Sequence, residues 1–235
     1  MGAYGAKVVN PDGESSRHTV DVVLPCLDEA QALPWVLGRM PEWARAIVVD
    51  NGSTDGSPEL AASLGAQVVS EWQRGYGAAC HAGLEAATAP WVAFMDCDAS
   101  LDPAHLERLL EAADDASGLP TLVVGRRIPA SASSWPWHLR LANREVARRV
   151  NRRTGLRLAD IGPMRLAPRE PLLGLKLEDR RSGYPVETVL RAAESGWRVL
   201  GVDVPYAERA GRSKVTGTPM GVVRTVRDMS SVLAR

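Results

Sequence analysis

Along the first half of the chain, short apolar runs alternate with amphipathic stretches, and several of those runs stop at a carboxylate. Residues 19–25 read as a first strand. Cys26, Leu27, Asp28 and Glu29 follow it, and the pattern then predicts a helix to about Met40 with Asp28 as its N-cap. Residues 46–50 predict a second strand ending in Asp50, residues 51–56 a turn, and Ser57 the start of a short helix. A third strand spans 67–70, and Arg74 opens a helix that runs to about Ala87. The apolar run 91–95 predicts a buried fourth strand, which ends abruptly in Asp96, Cys97 and Asp98 before a helix at Pro103.

In the second half, residues 122–127 form a strand ending in two arginines, and 134–153 form a helix. Residues 197–206 alternate as a strand, and 219–233 make a final helix that turns Met220, Val223, Val226 and Met229 toward the core. Strand and helix in alternation predict an α/β fold, a mostly parallel sheet with helices on both faces.

Composition bounds this picture. A chain of 235 residues, 45% hydrophobic and 24% charged, can bury one full core. No apolar run reaches membrane-spanning length, and residues 1–17 are polar and lack a signal core, so a cytoplasmic location is expected. Cys26, Cys80 and Cys97 show no Cys-x-x-Cys spacing, so reduced thiols and no zinc site are expected. The net charge of zero hides an asymmetry. Residues 1–120 hold six Lys and Arg against eighteen Asp and Glu, a balance of −12, and residues 121–235 hold twenty-two against ten, or +12. The acidic half suits a metal and the basic half an anion; no nucleic-acid partner is expected.

Two carboxylates at the end of a buried strand repel each other and resist desolvation, which points to a cation between them. A Mg2+ or Mn2+ ion carrying a phosphate answers that need through oxygen ligands. The same ending also fits an Asx-capped turn. In parallel sheets ligands bind beyond the carboxyl ends of the strands, where Pro25, Asp50, Asp96 and Asp98 all fall. Gly75 and Gly77 would let amides at a helix start approach phosphates. The place after the first strand lacks the glycines of a dinucleotide fold, and no phosphate-loop lysine motif exists among Lys7, Lys176 and Lys214. An aspartyl-nucleophile phosphatase survives as a distant alternative.

Pro25-Cys26-Leu27-Asp28-Glu29, the run from Val48 to Gly56, Arg74-Gly75-Tyr76-Gly77-Ala78-Ala79 and Asp96-Cys97-Asp98, in that order, resemble family 2 glycosyltransferases. Within that family the chain is similar to the dolichyl-phosphate mannose synthase and polyprenyl-phosphate glycosyltransferase group, over about residues 20–217. It departs at Asp28, where Asn is commoner, and at Ala99-Ser100, where the mannose synthases carry a further metal-binding Gln. The resemblance implies the GT-A fold. It further implies that Asp50 binds the nucleoside base, that Pro25, Cys26 and Glu29 shape the base and ribose pocket, and that Asp96 and Asp98 hold the diphosphate through Mg2+ or Mn2+. The basic loop with Arg209, Arg212, Ser213 and Lys214 resembles a segment that closes over the donor in this group, and the motifs around Asp160 and Glu187 resemble acceptor-side motifs. Asp160 and Glu187 are the candidate general bases for a hydroxyl acceptor; a phosphate acceptor needs none.

Arg126 and Arg127 suit a phosphate clamp. Arg140, Arg144, Arg148 and Arg152, spaced by four beside Trp135 and Trp137, suit a membrane surface or a lipid phosphate, and equally a solvated helix face. The expectation is a metal-dependent, inverting glycosyltransferase with catalytic roles for Asp98, Glu187, Asp160, Arg126, Arg209 and Lys214. It takes a nucleoside-diphosphate sugar, passes the sugar to a polyprenyl phosphate and touches the inner membrane face peripherally. The alternative is a soluble enzyme with a small-molecule acceptor; a non-catalytic nucleotide-binding domain is a distant one. The domain plan is a flexible segment 1–18, one catalytic domain 19–218 with its donor half to residue 120, and a terminal helix.

Overall fold

A computed structural model describes residues 19–114, 118–211 and 219–234; the segment 1–18 lies outside them. The elements in chain order are β1 (Val20–Cys26), α1 (Leu33–Leu37), β2 (Ala44–Asp50), α2 (Ser57–Ser63), β3 (Gln67–Ser70), α3 (Tyr76–Ala86) and β4 (Trp91–Phe94). A 3-10 turn (Pro103–His105) leads into α4 (Leu106–Ala113), β5 (Thr121–Pro129), α5 (Trp137–Thr154), β6 (Arg165–Pro168), α6 (Arg169–Gly174), α7 (Tyr184–Glu194), β7 (Arg198–Tyr206) and α8 (Pro219–Leu233).

The strands form one sheet in the order β3-β2-β1-β4-β6-β5-β7. All pairings are parallel except those of β6, which runs antiparallel to both β4 and β5. β1 takes β2 on one side and β4 on the other, so the chain reverses its direction of growth there. Each strand shows its apolar residues to both faces. Val23, Val49, Phe94 and Val124 pack under α3, α5 and α7, while Val22, Leu24, Val48 and Met95 pack under α1, α2 and α4. Burial on both sides is why these strands read as continuous apolar runs in the sequence.

Two expectations about helix starts are corrected. The first helix does not begin at Asp28: α1 starts after Ala32 with no side-chain cap. Asp28 instead sits in the left-handed region at φ 54 and accepts the Thr54 backbone N–H at 2.7 Å. The Ser53, Ser57 and Asp55 side chains receive the backbone N–H groups of Asp28, Glu29 and Ala30, lacing the loop after β1 to the turn after β2. A loop held at four points cannot coil into a helix. Likewise α5 begins at Trp137 rather than 134, because Pro136 occupies its N-cap in an extended conformation.

Candidate active site

Because β1 and β4 are neighbours at the reversal, their carboxyl ends open onto one crevice. A cavity of about 640 Å3 lies there. The first half of the chain lines it with Pro25, Cys26, Glu29, Asn51, Asp96 and Asp98; the second half answers with Arg127, Tyr206 and Arg209. Trp135, Leu139, Val146, Ile161, Val226 and Met229 extend an apolar wall from the turn before α5, α5 itself, the loop before β6, and α8.

Asp98 is buried. Ala99 turns through a left-handed conformation at φ 62, which brings the Ser100 N–H and hydroxyl to Asp98 Oδ1 at 3.0 and 2.5 Å. Oδ2 is left for Arg209 Nη1 at 3.0 Å. The backbone of the same segment is clipped down, since Ala207 N–H donates to Ser100 O and Ala210 N–H to Asp98 O. Asp96 lies on the other flank of Cys97, and among the described residues no group donates a hydrogen bond to its carboxylate. Burial, and then the neighbouring Asp98, push its pKa up to about 6, although Arg209, Arg127 and Arg165 pull the other way. A carboxylate that is costly as an isolated anion, one residue from a second carboxylate, fits a hard divalent cation. No third His, Cys, Asp or Glu completes a metal cluster among the described residues; the remaining ligands of such an ion would be phosphate and water oxygens.

Asparagine 51, which the sequence reading passed over, builds the neighbouring wall. Its amide donates to Glu71 O and Gln73 O and accepts the Gly75 N–H, tying the end of β2 to the start of α3. Cys26 and Cys97 are both free and buried. The Cys97 thiol donates to Pro25 O at 3.1 Å, and the Cys26 side chain together with burial holds that thiol well above its usual pKa.

Several expected site residues stand elsewhere. On β5, Arg126 faces outward, exposed, and pairs across the ladder with Asp203. It is Arg127 that faces the cavity, its side chain largely covered but still 14% exposed. Asp160 grips its guanidinium at 2.8 and 2.9 Å, and it lies over the Trp135 ring at 3.9 Å. Asp160 is therefore consumed by that pair. Glu187 is consumed too: it accepts the backbone N–H groups of Glu178 and Asp179 and pairs with Arg191 at 2.9 Å. Neither lines the cavity.

Gly75 and Gly77 do not offer amides to a phosphate. The Gly77 and Ala78 N–H groups donate to Arg181 O and Arg180 O. A Cβ on Gly75, whose φ is +149, would meet Arg180 O at 2.1 Å. The glycines are needed for the approach of the 179–181 segment. Asp50 stands in register with Cys26, but its carboxylate accepts the Gly52 and Ser53 N–H groups and is not among the lining groups. Arg212, Ser213 and Lys214 lie outside the described residues.

Comparison with known proteins agrees with this architecture. The description Glycosyl transferase family 2 matches residues 21–174. A glycosyltransferase of Mycobacterium tuberculosis without assigned substrates is 47% identical over 92% of this chain and 98% of its own length. A dolichyl-phosphate hexose transferase of Haloferax volcanii is 31% identical over 83% of this chain and 85% of its own. Among solved structures, glucosyl-3-phosphoglycerate synthase of M. tuberculosis, in a complex with Mn2+, uridine-diphosphate-glucose and phosphoglyceric acid, superposes with a TM-score of 0.70. It covers 92% of this chain and 78% of that one at 22% identity. The fold is the GT-A fold of nucleotide-sugar transferases. With its family description spanning both motif-bearing strand ends and the reversal between them, the chain belongs to glycosyl transferase family 2 and is a glycosyltransferase.

Proposed function

We propose that this enzyme transfers a sugar, with inversion, from a nucleoside-diphosphate sugar to a polyprenyl phosphate, and that Asp96 and Asp98 hold the divalent metal it uses. The observation that carries the reading is the meeting, in one cavity, of an acidic pair, two arginines and an apolar wall. When bound, Mg2+ or Mn2+ supplies Lewis-acid neutralisation of the diphosphate leaving group. Pro25, Cys26, Glu29 and Asn51 form the nucleoside pocket, and Asp50 acts on the base through the Gly52–Ser53 turn that it ties. Arg127, fixed by Asp160 and the Trp135 ring, presents a positive charge to an acceptor phosphate. Arg209, which lines the same cavity, supplies positive charge to the donor diphosphate.

The fate of the two candidate bases supports a phosphate acceptor. Asp160 and Glu187 have their oxygens filled by protein donors, and an acceptor that is already an anion needs no proton removed. The apolar wall from α5 and α8 suits the isoprenoid, as does the acceptor named for the Haloferax relative. On the outer side of α5, Trp137 and Leu141 are 74% and 59% exposed beside the exposed Arg140, Arg144, Arg148 and Arg152, which suits peripheral contact with anionic lipid. Purified enzyme incubated with Mn2+, radiolabelled UDP- and GDP-sugars and undecaprenyl phosphate should move label into an organic-extractable product. Label moving only to a soluble acceptor such as 3-phosphoglycerate would reject the lipid acceptor, and no donor turnover at all would reject the reaction.

A further inference from the structure

Arg209 holds Asp98 where a metal would bind. Its Nη1 lies 3.0 Å from Asp98 Oδ2, the one oxygen of that carboxylate that Ser100 leaves open. Tyr206 and the clip from Ala210 N–H to Asp98 O set where the guanidinium stands. A cation that binds Asp98 Oδ2 competes with this guanidinium for the same oxygen.

We propose that Arg209 is a specificity-determining residue for metal loading, a resident counter-ion that admits a metal arriving with a diphosphate and excludes the metal alone. The inference rests on the metal-dependent reading of the site. Charge decides the selection. With Asp96 and Asp98 ionised, Arg209 leaves the cluster with a single net negative charge. A divalent ion entering alone turns it net positive and strands the displaced guanidinium beside a second cation, without a partner. A divalent ion entering with a diphosphate brings negative charge with it, and the guanidinium exchanges a carboxylate for a phosphate oxygen, an acceptor it binds as well. Metal and nucleotide therefore favour each other's binding, by a factor in the range usual for coupled ligands, about 5- to 150-fold. Asp96 alone gives a free metal one carboxylate, too few for tight binding.

The opposite sign of two effects separates this role from simple phosphate binding. Calorimetric titration of Mn2+ into nucleotide-free protein should show Arg209→Ala binding the ion about tenfold more tightly than wild type. Arg209→Lys, which restores a cation, should return binding toward the wild-type value. In Mn2+-saturated protein, UDP and GDP should bind Arg209→Ala more weakly than wild type. Arg209→Gln, nearer in length, repeats the comparison should the alanine variant unfold, as read by circular dichroism. Equal or weaker Mn2+ affinity in Arg209→Ala and Arg209→Gln, with cooperative Mn2+ and nucleotide binding intact in wild type, overturns this inference alone. Wild-type protein that binds no Mn2+ with or without UDP or GDP overturns it together with the metal-dependent reading.

Discussion

At the proposed metal site, Asp96 is the carboxylate whose protonation should set the pH dependence. Burial, then Asp98, penalise the anion and push its pKa up to about 6, above the ordinary aspartate value of 3.8. A raised carboxyl pKa means that the folded chain binds more protons than the unfolded one between those values. Stability of the metal-free protein should therefore fall as pH rises from about 4 to about 6. Metal affinity should move in the opposite sense, rising by up to about tenfold per pH unit below the Asp96 pKa and levelling above it, because the ligand must lose its proton. Calorimetric Mn2+ titrations from pH 5 to pH 7.5 in the presence of UDP or GDP check this. A flat profile would show that Asp96 does not ligate.

At the scale of elements, β5 shows how one step along a strand changes a residue's role. Arg126 and Arg127 are adjacent, yet Arg126 pairs on the surface with Asp203 while Arg127 is sealed against Asp160 and Trp135. Arg126→Ala should leave stability within about 0.5 kcal/mol of wild type. Arg127→Ala, which leaves Asp160 buried without its counter-charge, should cost about 3–5 kcal/mol by chemical denaturation. Equal effects would contradict the assignment of faces. The strands themselves were legible: β3 matches its predicted bounds, and β1, β2 and β4 differ by one or two residues. The facing of β5 was not, because residues 121–125 hold Leu, Val and Gly after the first Thr and are buried on both sides. Such a run carries no in-and-out signal to extend to the arginines. The roles of Gly75 and Gly77 depend on the 179–181 backbone, about a hundred residues away, and no local pattern announces a long-range close approach. β6 was missed because four residues between a turn and a helix leave no period to read.

On the scale of the whole molecule, the asymmetry of charge along the chain becomes a junction in space. The acidic half brings Asp96 and Asp98 to the crevice and the basic half brings Arg127 and Arg209, so the two halves meet at the site itself. The Asp-x-Asp ending and its position at a strand's carboxyl edge were readable from the sequence. The placement of the arginines was only partly so: Arg209 lines the cavity and pairs with Asp98, whereas Arg126 pairs with Asp203 on the surface and Arg127 takes the cavity face. Among the described residues no helix is long and apolar enough to cross a membrane; the peripheral lipid contact proposed above would use the exposed side of α5.

The claim on which all of this depends is that two strand-end carboxylates hold a metal that carries the donor diphosphate. Crystals grown with Mn2+ and UDP or GDP, measured at the manganese absorption edge, test it most directly. The predicted result is one anomalous peak within ligand distance of both Asp96 and Asp98 and of the diphosphate oxygens. Bound nucleotide with no such peak, or a peak away from both carboxylates, would contradict it.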